Sequence, residues 1–257
     1  MKIMSTPPKM NLPTETVELP SKGLVYPKEN PLSSGVIEMK YMTAKEEDIL
    51  SNPNYIKQGN VFDKLLSSLI VSKINYDDLV TGDKNAILIA ARILGYGKDY
   101  LVKVQHPLTG EEETVNVDLS AIKNRDIDYT ELKGVNEFTF TLPISKNEIT
   151  FKLLTHGDER QIDEELKGLK RANLSAEVTT RLKQTILAVN GDREKKTVRD
   201  FVDNFLLATD ARAFRDYLKK VSPDLDLTFT FVGSDGYTQE GVEIPLGLSF
   251  FYPSVRV

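Results

Sequence analysis

Cysteine is absent from the 257 residues, which excludes disulfides, thiolate nucleophiles and any zinc or iron–sulfur site held by cysteine. Histidine is nearly absent too. His106 and His156 stand far apart in the chain, and without an H-x-x-x-H pair no helix face carries two imidazoles for one metal ion. There is no excess of basic residues: 33 Lys and Arg against 38 Asp and Glu leave a net charge of −5. Nonspecific nucleic-acid binding needs a continuous cationic face, so such binding is not expected. The one basic stretch, Lys167 to Arg171, follows Asp163, Glu164 and Glu165 and reads as a self-compensating helix surface. No apolar run approaches the roughly 18 residues of a membrane span. Met1 to Glu15 carries Pro7, Pro8 and Pro13 where a secretory signal has its apolar core. The expectation is a protein that stays in the cytoplasm of the cell that makes it and has no membrane contact. What is present is an ordinary composition, 40% hydrophobic and 28% charged, in a chain long enough for one large domain or two small ones.

Residues 1–34 hold six of the twelve prolines: Pro7, Pro8, Pro13, Pro20, Pro27 and Pro31. Proline fixes φ and removes a backbone donor, so this stretch is expected as an extended arm able to lie in a groove on a neighbour. Within it the alternation around Val17 to Leu19, broken at Ser21-Lys22-Gly23, predicts a strand and then a turn. Gly35 to Met42 alternates as a half-buried strand, and Thr43 with Glu46 has capping-box spacing before a helix from Ala44 to about Ser51. Apolar periodicity predicts core-facing helices over Val61 to Ile70 and Ile87 to Leu94, joined by the polar segment Tyr76 to Asp83. A hairpin follows, Tyr100 to Gln105 and Thr114 to Leu119, turning at His106 to Gly110. A second pairs Asn136 to Leu142 with Glu148 to Leu154. Four helices are expected next: Glu159 to Lys170, Ala176 to Val189 with Ser175 as N-cap, Val198 to Leu207, and Ala211 to Lys220. A third hairpin, Leu227 to Phe231 and Val242 to Leu246, turns at Gly233 to Gly236 and precedes the aromatic tail Phe250-Phe251-Tyr252-Pro253. The stretches from Leu101 and from Leu227 align strand to strand and glycine to glycine, with one inserted residue, as an internal repeat of two ribbon hairpins.

Three segments in order, LPSKGLVY at Leu19 to Tyr26, MTAKEEDIL at Met42 to Leu50 and FFYP at Phe250 to Pro253, resemble the T-even-type bacteriophage baseplate hub family. They span almost the whole chain. Relatives in that family carry C-x-x-C-G at the turn of each ribbon hairpin, similar to a pair of zinc knuckles. The matching positions here are His106, Thr109 and Gly110, then Val232, Asp235 and Gly236. No cysteine stands at any of the four ligand positions, and Val232 offers no donor, so the resemblance implies knuckles that have lost their metal. Turn glycines and cross-strand pairs among Val115, Val117, Val242 and Ile244 would then hold the hairpins.

Sharper chemistry fares poorly. Ser21-Lys22-Gly23 has one glycine and no following helix, where a phosphate loop needs two spaced glycines before Lys-Ser/Thr. Glu111, Glu112 and Glu113 on a strand point to alternate faces and do not converge on a cation. Beside His156 and Asp158 no nucleophile stands in a recognisable context, and Asp158 fits a helix N-terminus. Phe250, Phe251 and Tyr252 read either as a clamp holding the tail on the last hairpin, which is favoured, or as exposed partner anchors.

The fold class expected is α+β: β-hairpins, two of them ribbon-like and knuckle-like without metal, segregated helices and an extended N-terminal arm. Three regions are delimited: 1–34 the arm, 35–134 an α+β region with the first ribbon hairpin, and 135–257 a hairpin, a helical section and the last ribbon hairpin. The resemblance implies a non-enzymatic structural component of the contractile tail baseplate hub, in the virion and, during assembly, in the bacterial cytoplasm. Its expected partners are other hub or tail proteins, the tape-measure protein among them, with no cofactor. Protein-contact candidates are Leu19, Pro20, Ser21, Lys22, Gly23, Leu24 and Tyr26 in the arm and Phe250, Phe251 and Tyr252 in the tail. Two alternatives stand beside this: a transient assembly chaperone absent from the mature virion, and a metal-binding regulatory module or enzyme built on the ribbon hairpins.

Overall fold

A computed structural model describes residues 12–172 and 174–251. It is an α+β arrangement of small antiparallel sheets separated by helices. β1 (Thr14–Glu18) pairs antiparallel with β2 (Val36–Lys40), Thr14 opposite Lys40 and Glu18 opposite Val36. The proline-bearing segment between them folds back on the chain: Leu19, Pro20, Ser21, Gly23, Val25 and Tyr26 are all buried. α1 (Ala44–Leu50) starts as its spacing predicts, the Glu46 carboxylate accepting from the Thr43 amide at 2.9 Å and the Thr43 hydroxyl at 2.6 Å. α2 (Pro53–Gln58), capped by Asn52, and α3 (Val61–Leu69) follow, with Val61, Leu65, Leu66 and Leu69 on the buried stripe of α3.

α4 (Thr81–Tyr96) begins six residues before the expected Ile87. Its first two turns, Thr81 to Asn85, are polar in sequence and so resemble a linker, yet Gly82 and Asp83 are fully covered by distant parts of the chain. A Cβ built on Gly82 would lie 1.9 Å from the Pro223 carbonyl oxygen, so only glycine admits that approach. β3 (Asp99–Gln105) and β4 (Glu112–Asp118) form the first ribbon hairpin, with Gln105 opposite Glu112 and Asp99 opposite Asp118.

β5 (Phe138–Thr141), β6 (Glu148–Phe151) and β7 (Ile186–Val189) make a three-stranded sheet in that order. β7 corrects an expectation. Ala176 to Val189 is not one helix but α6 (Glu177–Thr185), whose N-cap is Ala176, followed directly by a strand. Ile186 and Val189 satisfy either period over so short a run, and the free edge of β6 decides the outcome by taking up the backbone donors and acceptors of the last four residues. Before them comes α5 (His156–Arg171), begun by a capping box between Thr155 and Asp158. After them α7 (Lys195–Asp200) passes into a π-helical turn, Phe201–Phe205, and then α8 (Ala208–Val221). The second ribbon hairpin joins β8 (Thr228–Val232) to β9 (Thr238–Glu243). Its returning strand begins four residues before the expected Val242, because the turn is tight: the Gly233 amide donates to the Tyr237 carbonyl at 2.7 Å and Gly236 has φ +86°.

One contiguous apolar core contains side chains from all three expected regions, among them Leu19, Val25 and Leu32, Leu65 and Ile87, and Phe151 and Phe214. Phe151 meets Phe214 edge-on at 5.0 Å, and Phe140 stacks on Tyr217 at 4.6 Å, which fastens α8 to the β5–β6–β7 sheet.

Candidate functional site

The arm candidates converge on a single buried carboxylate. Asp83, in the first turn of α4, accepts from the Ser21 amide at 2.9 Å, the Ser21 hydroxyl at 2.7 Å and the Tyr26 hydroxyl at 2.6 Å. The Tyr26 oxygen in turn accepts from the Val80 amide at 3.1 Å. Burial pushes the Asp83 carboxyl above the usual carboxylate range, although each of these donors favours its ionised form. Burial also raises the Tyr26 phenol, which therefore keeps its proton and stays a donor. Gly23 has φ +76° and an added Cβ would lie 2.4 Å from the Ser33 carbonyl oxygen, so the turn needs glycine for both reasons. Nothing in the spacing of Ser21, Tyr26 and Asp83 announces this cluster, since 62 residues separate serine from aspartate.

This alters the standing of the contact candidates. Leu19, Pro20, Ser21, Gly23 and Tyr26 are covered by the chain's own core, while Lys22 and Leu24 face outward. The Lys22 ammonium lies 3.8 Å from the centre of the Tyr129 ring, and the Tyr129 hydroxyl donates to the Pro20 carbonyl. In the tail Phe250 and Phe251 are both 1% exposed, so they clamp; Tyr252 lies outside the described residues. Their contacts differ from those expected. Phe250 packs edge-on against Tyr100 of β3, Phe251 against Phe62 of α3, and the buried Arg92 of α4 donates to the Phe250 carbonyl at 2.9 Å.

The two ribbon hairpins meet tip to tip. His106, at the first turn, is 1% exposed and its Nε2 lies 3.3 Å from Oδ1 of Asp235 at the second turn. The Leu108 and Thr109 amides both donate to His106 Nδ1 at 3.3 Å. With Nδ1 accepting, the ring proton belongs on Nε2, where it is shared with Asp235. The Asp235 carboxylate also accepts from the Tyr237 amide at 2.8 Å and is held below the usual range chiefly by that bond. A second tie runs from the Ser234 amide to Glu113 at 2.9 Å. Of the four knuckle positions the structure therefore joins His106, Thr109 and Asp235 in one hydrogen-bonded unit, while Val232 is exposed. Among the described residues no group of three or more His, Cys, Asp or Glu is placed to hold a metal ion.

His156 belongs to a third cluster. The Lys84 ammonium donates to its Nδ1 at 2.9 Å, and Asp63 stands 3.1 Å from Nε2 without the alignment of a good hydrogen bond. Burial would raise the Asp63 carboxyl, but the imidazole and the charges of Lys84 and Arg160 hold it low; burial pushes the Lys84 ammonium down. The cluster joins the starts of α3, α4 and α5 under the Tyr76 ring, 4.4 Å from the imidazole. As expected, Asp158 caps α5, and it also pairs with Lys152 at 2.6 Å.

Residues 13–251 match a family model described as T4 bacteriophage base plate protein. No curated protein and no solved structure matches the chain.

Proposed function

This chain belongs to the T4 bacteriophage base plate protein family, and on that premise we propose that it is a non-enzymatic structural component of the baseplate hub of a contractile phage tail. It acts by protein–protein contacts with other hub or tail proteins, the tape-measure protein included. The bacterial cytoplasm is where it folds and joins them. The observation that carries the reading is the extent of the family match, which takes in both ribbon hairpins and the Ser21–Asp83 cluster rather than one short motif.

The polar clusters support the same reading, because their groups are committed to each other. The Ser21 hydroxyl is bonded to Asp83, His106 joins two hairpin tips, and His156 lies between Lys84 and Asp63. Of the arm candidates, Lys22 and Leu24 are the side chains available to a neighbour.

Mass spectrometry of purified particles tests the proposal. Stoichiometric presence in intact virions is the expected result; presence in assembly precursors together with absence from mature virions would replace the structural role with that of a transient chaperone. Stoichiometric zinc in the purified protein would favour the metal-binding alternative.

A further inference from the structure

We infer, independently of the baseplate reading, that Asn190 is a latent deamidation site. The folded turn after β7 holds its carboxamide out of reach of the Gly191 nitrogen, and opening of that turn releases it to become aspartate or isoaspartate.

Asn190-Gly191 is the one Asn-Gly step in the chain. In such a step the backbone nitrogen of the glycine gives up its proton to solvent and attacks the asparagine Cγ. The N–Cγ bond forms, the Cγ–Nδ2 bond breaks, and Nδ2 leaves as ammonia after taking a proton from solvent. The resulting succinimide takes up one water across either carbonyl, which leaves an aspartate or an isoaspartate. Glycine hinders the attack least, because it has no Cβ. Both residues are exposed, so solvent reaches them and burial gives no protection.

Conformation does. Asn190 has φ +50° and Gly191 has φ +83°. The Asp192 amide donates to the Val189 carbonyl and the Val189 amide to the Asp192 carbonyl, each at 3.0 Å. This is the two-residue hairpin turn for which Asn-Gly is a preferred sequence. In left-handed backbone an L residue brings its Cβ against its own carbonyl oxygen. The next nitrogen lies on the opposite side of that carbonyl carbon, so the Asn190 side chain leaves Cα on the side away from the Gly191 nitrogen. The five-membered ring cannot close until the backbone rotates and the turn comes apart.

The carboxamide is also held at both ends. Its Oδ1 accepts from the Glu148 amide at 2.9 Å while the Asn190 amide donates to the Glu148 carbonyl at 2.7 Å, so side chain and backbone together extend the β6–β7 pairing by one residue. Its Nδ2 donates to Asn147 Oδ1 at 2.8 Å. The dipeptide that suits the turn is thus chemically labile, and the fold keeps it intact. Once the reaction has occurred the turn does not re-form as before: an aspartate has no Nδ2 hydrogens for Asn147, and an isoaspartate lengthens the turn by one backbone atom, on which hairpin register depends.

Peptide mass spectrometry of the full chain, aged while folded in mildly alkaline buffer, tests this, with the free peptide 184–193 in the same buffer as the unconstrained reference. Asn190 in the folded chain is expected to convert at least about tenfold more slowly than in the peptide, since several hydrogen bonds must open first. Urea beyond the unfolding midpoint should bring the chain to the rate of the peptide in the same urea. Asn147→Ala leaves Asn190-Gly191 in place and removes the acceptor for Nδ2; its rate while folded is expected to rise roughly two- to tenfold above the parent's. Should that variant fail to fold, the folded and urea-unfolded parent decide between them. Equal rates in the folded chain and the peptide, no product at Asn190 in the unfolded chain, or a folded Asn147→Ala no faster than the parent would overturn the inference.

Discussion

Replacing Tyr26 by Phe removes one oxygen from the buried network and almost no volume. That oxygen donates a 2.6 Å bond to Asp83 and accepts a 3.1 Å bond from the Val80 amide. A hydrogen bond to a charged group contributes about 1.5–3 kcal/mol, and a buried donor left without an acceptor costs about 1–3 kcal/mol. Asp83 keeps its two bonds from Ser21, which reduces the first loss, so the net cost should be about 3 kcal/mol. In a chain of this size 1 kcal/mol lowers Tm by about 2–4 °C, giving an expected fall of about 6–12 °C. Thermal and urea unfolding followed by far-UV circular dichroism measure it. Hydrogen exchange locates it, since the amide of Val80, the N-cap residue of α4, should lose protection before the amides of the helix itself. Ser21→Ala combined with Tyr26→Phe should be non-additive, because both hydroxyls serve the same carboxylate oxygen. A Tm within about 2 °C of the parent, with Val80 protection unchanged, would refute the view that this network holds the proline-rich segment to the core.

Glu46 adds a dependence on pH. Burial would raise its carboxyl, but bonds from Lys40, Ser68 and Thr43 overcome that and bring it down to about 2. Its folded value is depressed, so its contribution is present above the unfolded value near 4.5 and is lost as pH falls towards 2; Glu46→Gln should flatten urea midpoints measured across that window. His106→Leu orphans the Leu108 and Thr109 amides and unties Asp235, which is half exposed and contributes little. The expected cost is about 1–2 kcal/mol, with faster amide exchange confined to both hairpin turns. Phe250→Ala should cost about 3–5 kcal/mol in chemical denaturation; an unchanged midpoint would mean that the tail is an external anchor and not a clamp.

Much of the architecture follows from local pattern. The stripe of Val61, Leu65 and Leu69, the pairing of Thr43 with Glu46 and the hairpin turns at Gly110 and Gly236 are each short-range, and each appears where it was expected. The start of α4 and the strand β7 depart from the expected positions because their local sequence suits two conformations and a distant neighbour selects one, whereas the early start of β9 has a local cause in its tight turn. Prolines in residues 13–34 keep α-helix out of the segment, although Pro31–Ser34 forms one turn of 3-10 helix capped by Asn30, and they say nothing of what covers it. A buried Ser21 and an exposed Lys22 are adjacent letters with opposite fates.

The lack of cysteine, the scarcity of histidine and the acidic balance are fixed by composition, and they exclude disulfides and thiolate chemistry whatever the fold. Helix and hairpin positions follow from periodicity, which is a property of neighbouring residues. Only tertiary structure decides that Asp83 receives Ser21 and Tyr26, that His106 meets Asp235 from the opposite hairpin, and that Phe250 closes on Tyr100 and Arg92. Those contacts join residues tens to more than a hundred positions apart. Their stability comes from desolvation and from matching each buried donor to an acceptor, conditions that exist once the core has closed and that no local window contains.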